Sequence, residues 1–208
     1  MKLYLSSYRL GDDTKSFTNL FDKINVKVAV INNAKDANID LDATLLRLEE
    51  ELADMKSLGF IPEHIDLRNY FNNADGLYKK MSEFDAVWVS GGNSFILRKA
   101  MQQSGFEVVV DRLIKTNKLV YSGYSAALCV ISPTLDGADL VDDKDAEADG
   151  YDEEVIWDGY GLIDFHPIVH YKSDHPESAD AEKELAYVIS KNRKYETLRD
   201  GETIVVSS

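Results

Sequence analysis

The sequence predicts an α/β fold: a single domain over residues 1–208, with a mostly parallel central sheet, helices on both faces and a C-terminal hairpin. Three observations carry this prediction. Strand-like apolar runs alternate with helix-like segments from end to end, the pattern of a parallel sheet covered on both faces. Val26–Ile31 is continuously apolar, as a strand buried on both sides requires. No repeat and no Pro/Ser/Gly-rich linker divides the 208 residues.

Lys2–Ser6 opens the chain as a short strand, and Val26–Ile31 follows as a buried one. Leu41–Leu58 carries Leu45, Leu48, Leu52 and Met55 on one helical stripe, and Gly59 stops it. Phe60–Leu67 is a weaker strand and Ala74–Ser82 a short helix. Phe84–Ser90 reads as a buried strand that ends at Gly91-Gly92-Asn93. Two helices, Ser94–Ser104 and Phe106–Thr116, are separated at Gly105. Leu119–Ser122 is a strand running into Gly123-Tyr124-Ser125, with a helix over Ala126–Ile131 behind it. After Pro133 comes an acidic surface segment, Asp142–Glu154, then extended chain at Val155–Trp157 and Leu162–Tyr171. Pro176–Lys191 is the last helix, and Glu196–Val206 reads as a hairpin turning at Asp200-Gly201.

Composition narrows the function. With 37 acidic against 23 basic side chains the net charge is −14 and the pI near 4.6. A nucleic-acid partner needs clustered Lys and Arg, and an anionic membrane surface needs the same, so neither is expected. The single cysteine, Cys129, excludes an intramolecular disulfide and a cysteine-based zinc cluster. The apolar run at the N-terminus is too short for a signal peptide, so the cytoplasm is the expected location.

In open α/β sheets sites lie beyond the carboxyl ends of the strands. Two loops there carry unusual chemistry: Ser90-Gly91-Gly92-Asn93 and Ser122-Gly123-Tyr124-Ser125-Ala126-Ala127. A strand–Gly-x-Ser-small-small–helix passage suits a nucleophile elbow, which exposes the serine hydroxyl at a helix N-terminus. The Ala126 amide would then face a developing oxyanion, and Gly92 offers a second amide. Taken alone, the pentapeptide also describes an ordinary strand-to-helix turn with Ser125 as N-cap, and the pattern favours that plainer reading.

A serine nucleophile needs a base, and the base an orienting acid. Of the four histidines, His64 heads a weak strand and reads as structural or exposed, while His175 lies in a polar loop and reads as exposed. His166 and His170 stand about 13 Å apart if extended, too far for one ion, so no metal is expected. His170 closes an apolar run at a position suited to the active edge of the sheet. Asp200 is a candidate acid, although Asp-Gly is also the commonest hairpin turn pair; Asp136, Asp158 and Asp164 stay open. The stretch Asp145–Gly150 mimics a calcium loop but has Ile156 where a bidentate Glu is required. It reads as a solvated loop near the mouth of the site.

Three blocks resemble the peptidase E-like serine peptidases, the S51 type that includes aspartyl dipeptidases and cyanophycinases. They are Val87-Trp88-Val89-Ser90-Gly91-Gly92-Asn93-Ser94-Phe95, Gly123-Tyr124-Ser125-Ala126-Ala127, and Gly161-Leu162-Ile163-Asp164-Phe165 through His170-Tyr171. The resemblance implies a fold similar to the class I glutamine amidotransferase domain, a flavodoxin-like three-layer arrangement. It implies Ser125 as nucleophile, His170 as general base and Asp200 as the acid, in a Leu198-Arg199-Asp200-Gly201 turn where the family carries Glu. Gly92 and Ala126 would form the oxyanion hole, and Asn93 and Tyr124 would contact substrate. A small peptide is the implied substrate, no cofactor is needed, and a homodimer is compatible with the family.

Two departures matter. Ala127 replaces the family's glycine, and Glu177–Glu182 lacks the arginine that recognises an aspartyl side chain in the dipeptidases. Strict Asp-x specificity is therefore not expected, since Asp180 and Glu182 would meet an anionic group. A glutamine amidotransferase needs a cysteine nucleophile, and Cys129 sits one helical turn too late. A non-catalytic binding member of the fold, and an esterase or amidase on a non-peptide substrate, are the alternative readings.

Overall fold

The structure is a computed structural model and describes residues 1–207. Six strands form the main sheet: β1 (Lys2–Ser6), β2 (Lys27–Ile31), β3 (Ile61–His64), β4 (Ala86–Val89), β5 (Val120–Tyr124) and β8 (Thr203–Ser207). Their order is β3-β2-β4-β5-β1-β8. Every pairing is parallel except that of β8 with β1. Two shorter strands, β6 (His166–Ile168) and β7 (Tyr195–Thr197), pair in parallel as a separate small sheet.

Alternation along the strands divides the core between two faces. Leu3, Leu5, Ala29, Ile31, Val87 and Val89 pack with helices α3 (Ala74–Met81), α4 (Ser94–Ser104), α5 (Phe106–Lys115) and α6 (Ala126–Cys129). Tyr4, Val28, Val30, Ala86 and Trp88 pack on the other side against Phe17 of α1 (Thr14–Thr18) and Leu48 and Met55 of α2 (Leu41–Ser57). Period-two alternation in strands with apolar residues on both faces is what a three-layer sandwich demands. Helix α7 (Ser178–Ser190) packs through Ala181 and Val188 on Ile168 of β6. No helix among the described residues is long and apolar enough to cross a membrane.

Several elements differ from the sequence reading. The helix expected over Ala126–Ile131 ends at Cys129, because the carbonyls of Val130 and Ile131 accept from Tyr160 and Leu162 across the chain. That crossing also breaks the extended segment Leu162–Tyr171, of which only His166–Ile168 is strand. Val155–Trp157 forms no strand, and next to it lies an isolated bridge between Thr134 and Asp158. Helix α1 was not foreseen; Asp13 caps it through the Ser16 amide, and Phe17 stacks on Tyr4 at 4.5 Å.

The C-terminal hairpin is the main correction. The turn at Asp200-Gly201 exists, but the strands on either side go to different sheets: β7 to β6, β8 to β1. The corner is held elsewhere, by the Gly201 carbonyl accepting from Asp12 and the Glu202 carbonyl from Ser7. A two-residue turn favours a hairpin only where its flanking strands lack stronger partners, and here β1 offers β8 a five-residue register.

Candidate active site

Three neighbouring strands, β4, β5 and β1, run parallel and end at one edge of the sheet. Their next residues are Ser90, Ser125 and Ser7. Because β8 is antiparallel to β1, its start lies at that same edge, with Thr203 opposite Ser6. The Asp200 corner is thereby delivered beside the strand ends. This is the position at which open α/β sheets place their ligands.

Ser125 sits between β5 and α6 with φ 52° and ψ −113°. A non-glycine residue held there stores about 1–3 kcal/mol of strain, which the surroundings must offset. The space around it explains the small residues: a Cβ on Gly123 would stand 2.3 Å from the Val89 carbonyl oxygen and 2.6 Å from the Ala127 methyl. Ser125 therefore does not cap α6 with its side chain; its hydroxyl is turned to His170.

The Ser125 hydroxyl lies 3.2 Å from His170 Nε2, and His170 Nδ1 lies 2.6 Å from Asp200 Oδ1. A carboxylate can only accept, so Nδ1 carries the proton and Nε2 presents a lone pair to the serine. His170 also has positive φ, 57°, which places its ring beyond the end of β6. Ser7, fully buried, ties the arrangement together: its hydroxyl donates to Asp200 Oδ1 at 2.9 Å and accepts from the His170 amide at 2.8 Å. The Ser173 hydroxyl accepts from the Asp200 amide at 2.8 Å. The other aspartates lie elsewhere. Asp136 pairs with Arg193, Asp164 with Lys194, and the Asp158 carbonyl accepts from Arg98.

Ser125, His170, Gly91, Gly92, Tyr124 and Tyr8 line a cleft that offers about 170 Å³ to water-sized groups. Gly92, at φ 143°, packs against the Ala34 carbonyl, and a Cβ there would come within 2.6 Å of it. Ala126 is the first residue of α6, where an amide has no intrahelical acceptor. Both amides thus belong to the loops that border Ser125.

Asn93, anticipated as a substrate contact, has both polar side-chain atoms engaged within the protein. Its Oδ1 accepts from Phe95 and Ile96 as the cap of α4, and its Nδ2 donates to the Asp143 carbonyl. Tyr124 does line the cleft, with its hydroxyl donating to Glu51 Oε1 at 2.9 Å. His175, anticipated as exposed, stacks on His170 with ring centroids 3.7 Å apart. His64 is exposed and hydrogen-bonded to Asn32, and His166 is buried against Glu184 at 2.8 Å.

The family-model comparison decides the kinship. Residues 47–208 match the model of peptidase family S51. The chain belongs to peptidase family S51. An uncharacterized peptidase of Listeria monocytogenes is 25% identical over 119 residues, 57% of this chain and 55% of that protein. One from Pasteurella multocida is 27% identical over 92 residues, 44% of this chain and 42% of that protein. The matches thus span about half the length of these curated relatives. Among solved structures, a Listeria monocytogenes protein described provisionally as peptidase E superposes with TM-score 0.77 at 21% identity, covering 100% of this chain and 98% of that one. A peptidase from an acI-B1 actinobacterium gives 0.67 at 13% identity, covering 99% and 82%. These two show the shared fold, and S51 membership supports a peptidase-like hydrolase.

In this S51 chain a network not foreseen from sequence supports the glycine loop. Glu51 of α2 is buried; it accepts from the Ser90 hydroxyl, from Tyr124 and, at 3.2 Å, from Lys35. Lys35 also donates to the Gly91 carbonyl at 2.7 Å. Burial lowers the Lys35 ammonium and the Glu51 charge opposes that shift. Nothing local in the sequence marks this contact, since Glu51 is the last of three consecutive glutamates, Glu49-Glu50-Glu51.

Burial lowers His170 below the ordinary imidazole range; the Asp200 hydrogen bond pulls it back up, and His175 adds to the lowering. An imidazole held below that range is neutral near pH 7, the form in which a general base can accept a proton. Activity is expected to fall as pH drops through this pKa, with the acid limb of kcat/KM below the free-imidazole value of about 6.5. A pH–rate profile whose acid limb lies at or above that value contradicts the assignment. Burial pushes the Cys129 thiol well up, which suits an inert cysteine beside a serine site. His170, His175 and Glu177 bring ligand atoms within 4.8 Å of one another. A divalent ion held by them would occupy the lone pair that the Ser125 proton needs.

Proposed function

We propose that this chain is a serine peptidase acting on small peptides through Ser125, His170 and Asp200. The observation that carries the reading is the unbroken hydroxyl–imidazole–carboxylate chain, 3.2 Å and 2.6 Å long in its two contacts, at a strained strand-to-helix turn. His170 takes the Ser125 proton as the oxygen attacks the scissile carbonyl, then returns it to the leaving amine. Asp200 fixes the imidazole tautomer and stabilises its charged form. The Gly92 and Ala126 amides receive the oxyanion, and water releases the acyl group from Ser125. No step calls for a metal or organic cofactor.

Hydrolysis of a panel of dipeptides and simple esters, run beside Ser125→Ala, tests this reading. Dipeptide turnover lost by at least about 10³-fold in the variant is the expected result. Turnover of esters alone favours the esterase alternative. Binding without turnover of any panel member favours a non-catalytic member of the fold, and full activity of Ser125→Ala overturns the nucleophile.

A further inference from the structure

The base His170 does not face the cleft alone. A second imidazole, His175, and the carboxylate of Glu177 line the same space. One ligand atom from each of the three lies within 4.8 Å of the other two. Glu177 Oε2 stands 3.8 Å from His170 Nε2 and 4.0 Å from His175 Nδ1. Two imidazoles and one carboxylate are a donor set with which zinc binds through three protein ligands and keeps a fourth position open.

The His170 part of such a site is already built. Its Nδ1 donates to Asp200 at 2.6 Å, and a carboxylate in that place fixes the tautomer and orientation of a metal-binding histidine. The hydrogen bond that prepares Nε2 for the Ser125 proton prepares it equally for an ion. Among the described residues the ion-pair partners of Glu177 are the two imidazoles, not Lys or Arg. The basic side chains of the cleft are held by carboxylates of α2 instead: Arg9 by Glu50 and Asp54, Arg47 by Glu50, Lys35 by Glu51.

His175 is the part that must move. Its ring lies 6° from parallel to His170, so the two lone pairs cannot meet at one ion while the rings stay stacked. Its Nδ1 also accepts from the Glu177 amide at 3.3 Å. Both side chains have room to adjust, since His175 is 18% and Glu177 43% exposed, in the turns that lead into α7. Turning the ring out of the stack brings the donors toward the spacing of about 3.3 Å that a tetrahedral zinc ion sets between its ligands.

Building on the serine-peptidase reading, we propose that His170, His175 and Glu177 form an inhibitory site for a zinc ion. The ion takes the Nε2 lone pair, so Ser125 keeps its proton and does not attack. Its removal returns the base to the serine. Imidazole donors select zinc over magnesium and calcium, which take oxygen ligands.

The test is titration calorimetry of zinc chloride into Ser125→Ala at pH 7.5, alone and with His175→Phe or Glu177→Gln added. Phenylalanine keeps a ring against His170 and removes its donor atoms; glutamine keeps the shape of Glu177 without its charge. One zinc ion per chain is expected to bind, and each added substitution is expected to weaken it at least tenfold in a protein with an unchanged melting curve. Millimolar magnesium is expected to give no comparable binding. In the protein with Ser125 intact, micromolar zinc is expected to slow dipeptide turnover at least tenfold and a chelator to restore it. No stoichiometric zinc binding, binding that neither substitution weakens, equally tight magnesium, or turnover that continues with the ion bound overturns the site. Zinc binding with these dependences in a chain that hydrolyses no peptide overturns the catalytic reading and leaves the metal site standing.

Discussion

Replacing Asp200 with asparagine is expected to lower kcat by about 10³–10⁴-fold while leaving KM within a few-fold. The carboxylate accepts from His170 Nδ1 at 2.6 Å and from the Ser7 hydroxyl at 2.9 Å. An amide in that place offers an N–H toward Nδ1 and so favours the tautomer whose proton sits on Nε2, facing Ser125. The serine then meets a donor where it needs a lone pair. Packing changes little, so folding and substrate affinity are preserved. Steady-state kinetics on any cleaved dipeptide check this, and a loss below tenfold removes Asp200 from the mechanism. The same substitution removes the group that raises the His170 pKa, so any residual activity is expected to show its acid limb at still lower pH.

The second large effect is structural. Gly123→Ala is expected to destabilise the protein by about 3 kcal/mol, the upper end of the usual cost of overpacking. The added Cβ would lie 2.3 Å from the Val89 carbonyl oxygen, in a β4–β5 contact where backbone rather than a flexible side chain must yield. Any shift that relieves it also displaces Ser125, two residues on, so activity falls with stability. Gly59→Ala is the control: it has open space around it and only its φ of 80° to offend, so it is expected to cost about 1 kcal/mol. Urea denaturation of both variants makes the comparison, and equal costs would show that the elbow tolerates a side chain.

How much of this was legible in the sequence follows from what each element depends on. Strands β2, β4 and β5 and helices α2 to α5 announce themselves because periodicity and glycine stops are local properties of the chain. The sharp strand-to-helix turn was legible for the same reason, since Gly123, Ser125 and Ala126 are small there. The pentapeptide alone favoured an ordinary turn with Ser125 as cap, whereas in the structure the Ser125 side chain makes no cap. Ser7, Glu51 and His175 were not legible. A serine after a strand, a glutamate on a helix and a histidine in a loop have no local mark, and their contacts arise only once β1, α2 and the 170–177 segment meet at one sheet edge. The hairpin misreading has the same origin. Asp200-Gly201 specifies a turn, but which partner a strand takes is decided by strands nearly 200 residues away, at Lys2–Ser6. The same turn, freed from pairing β7 with β8, is what brings Asp200 to His170.

The claim that the hydroxyl, imidazole and carboxylate act together is tested most directly by mapping the adduct of a broad fluorophosphonate on the folded protein. Mass spectrometry of the digest is expected to find one modified residue, Ser125, with labelling at least about a hundredfold slower in His170→Ala. A label on another residue, no label on a folded protein, or equal rates in the two proteins would contradict the account.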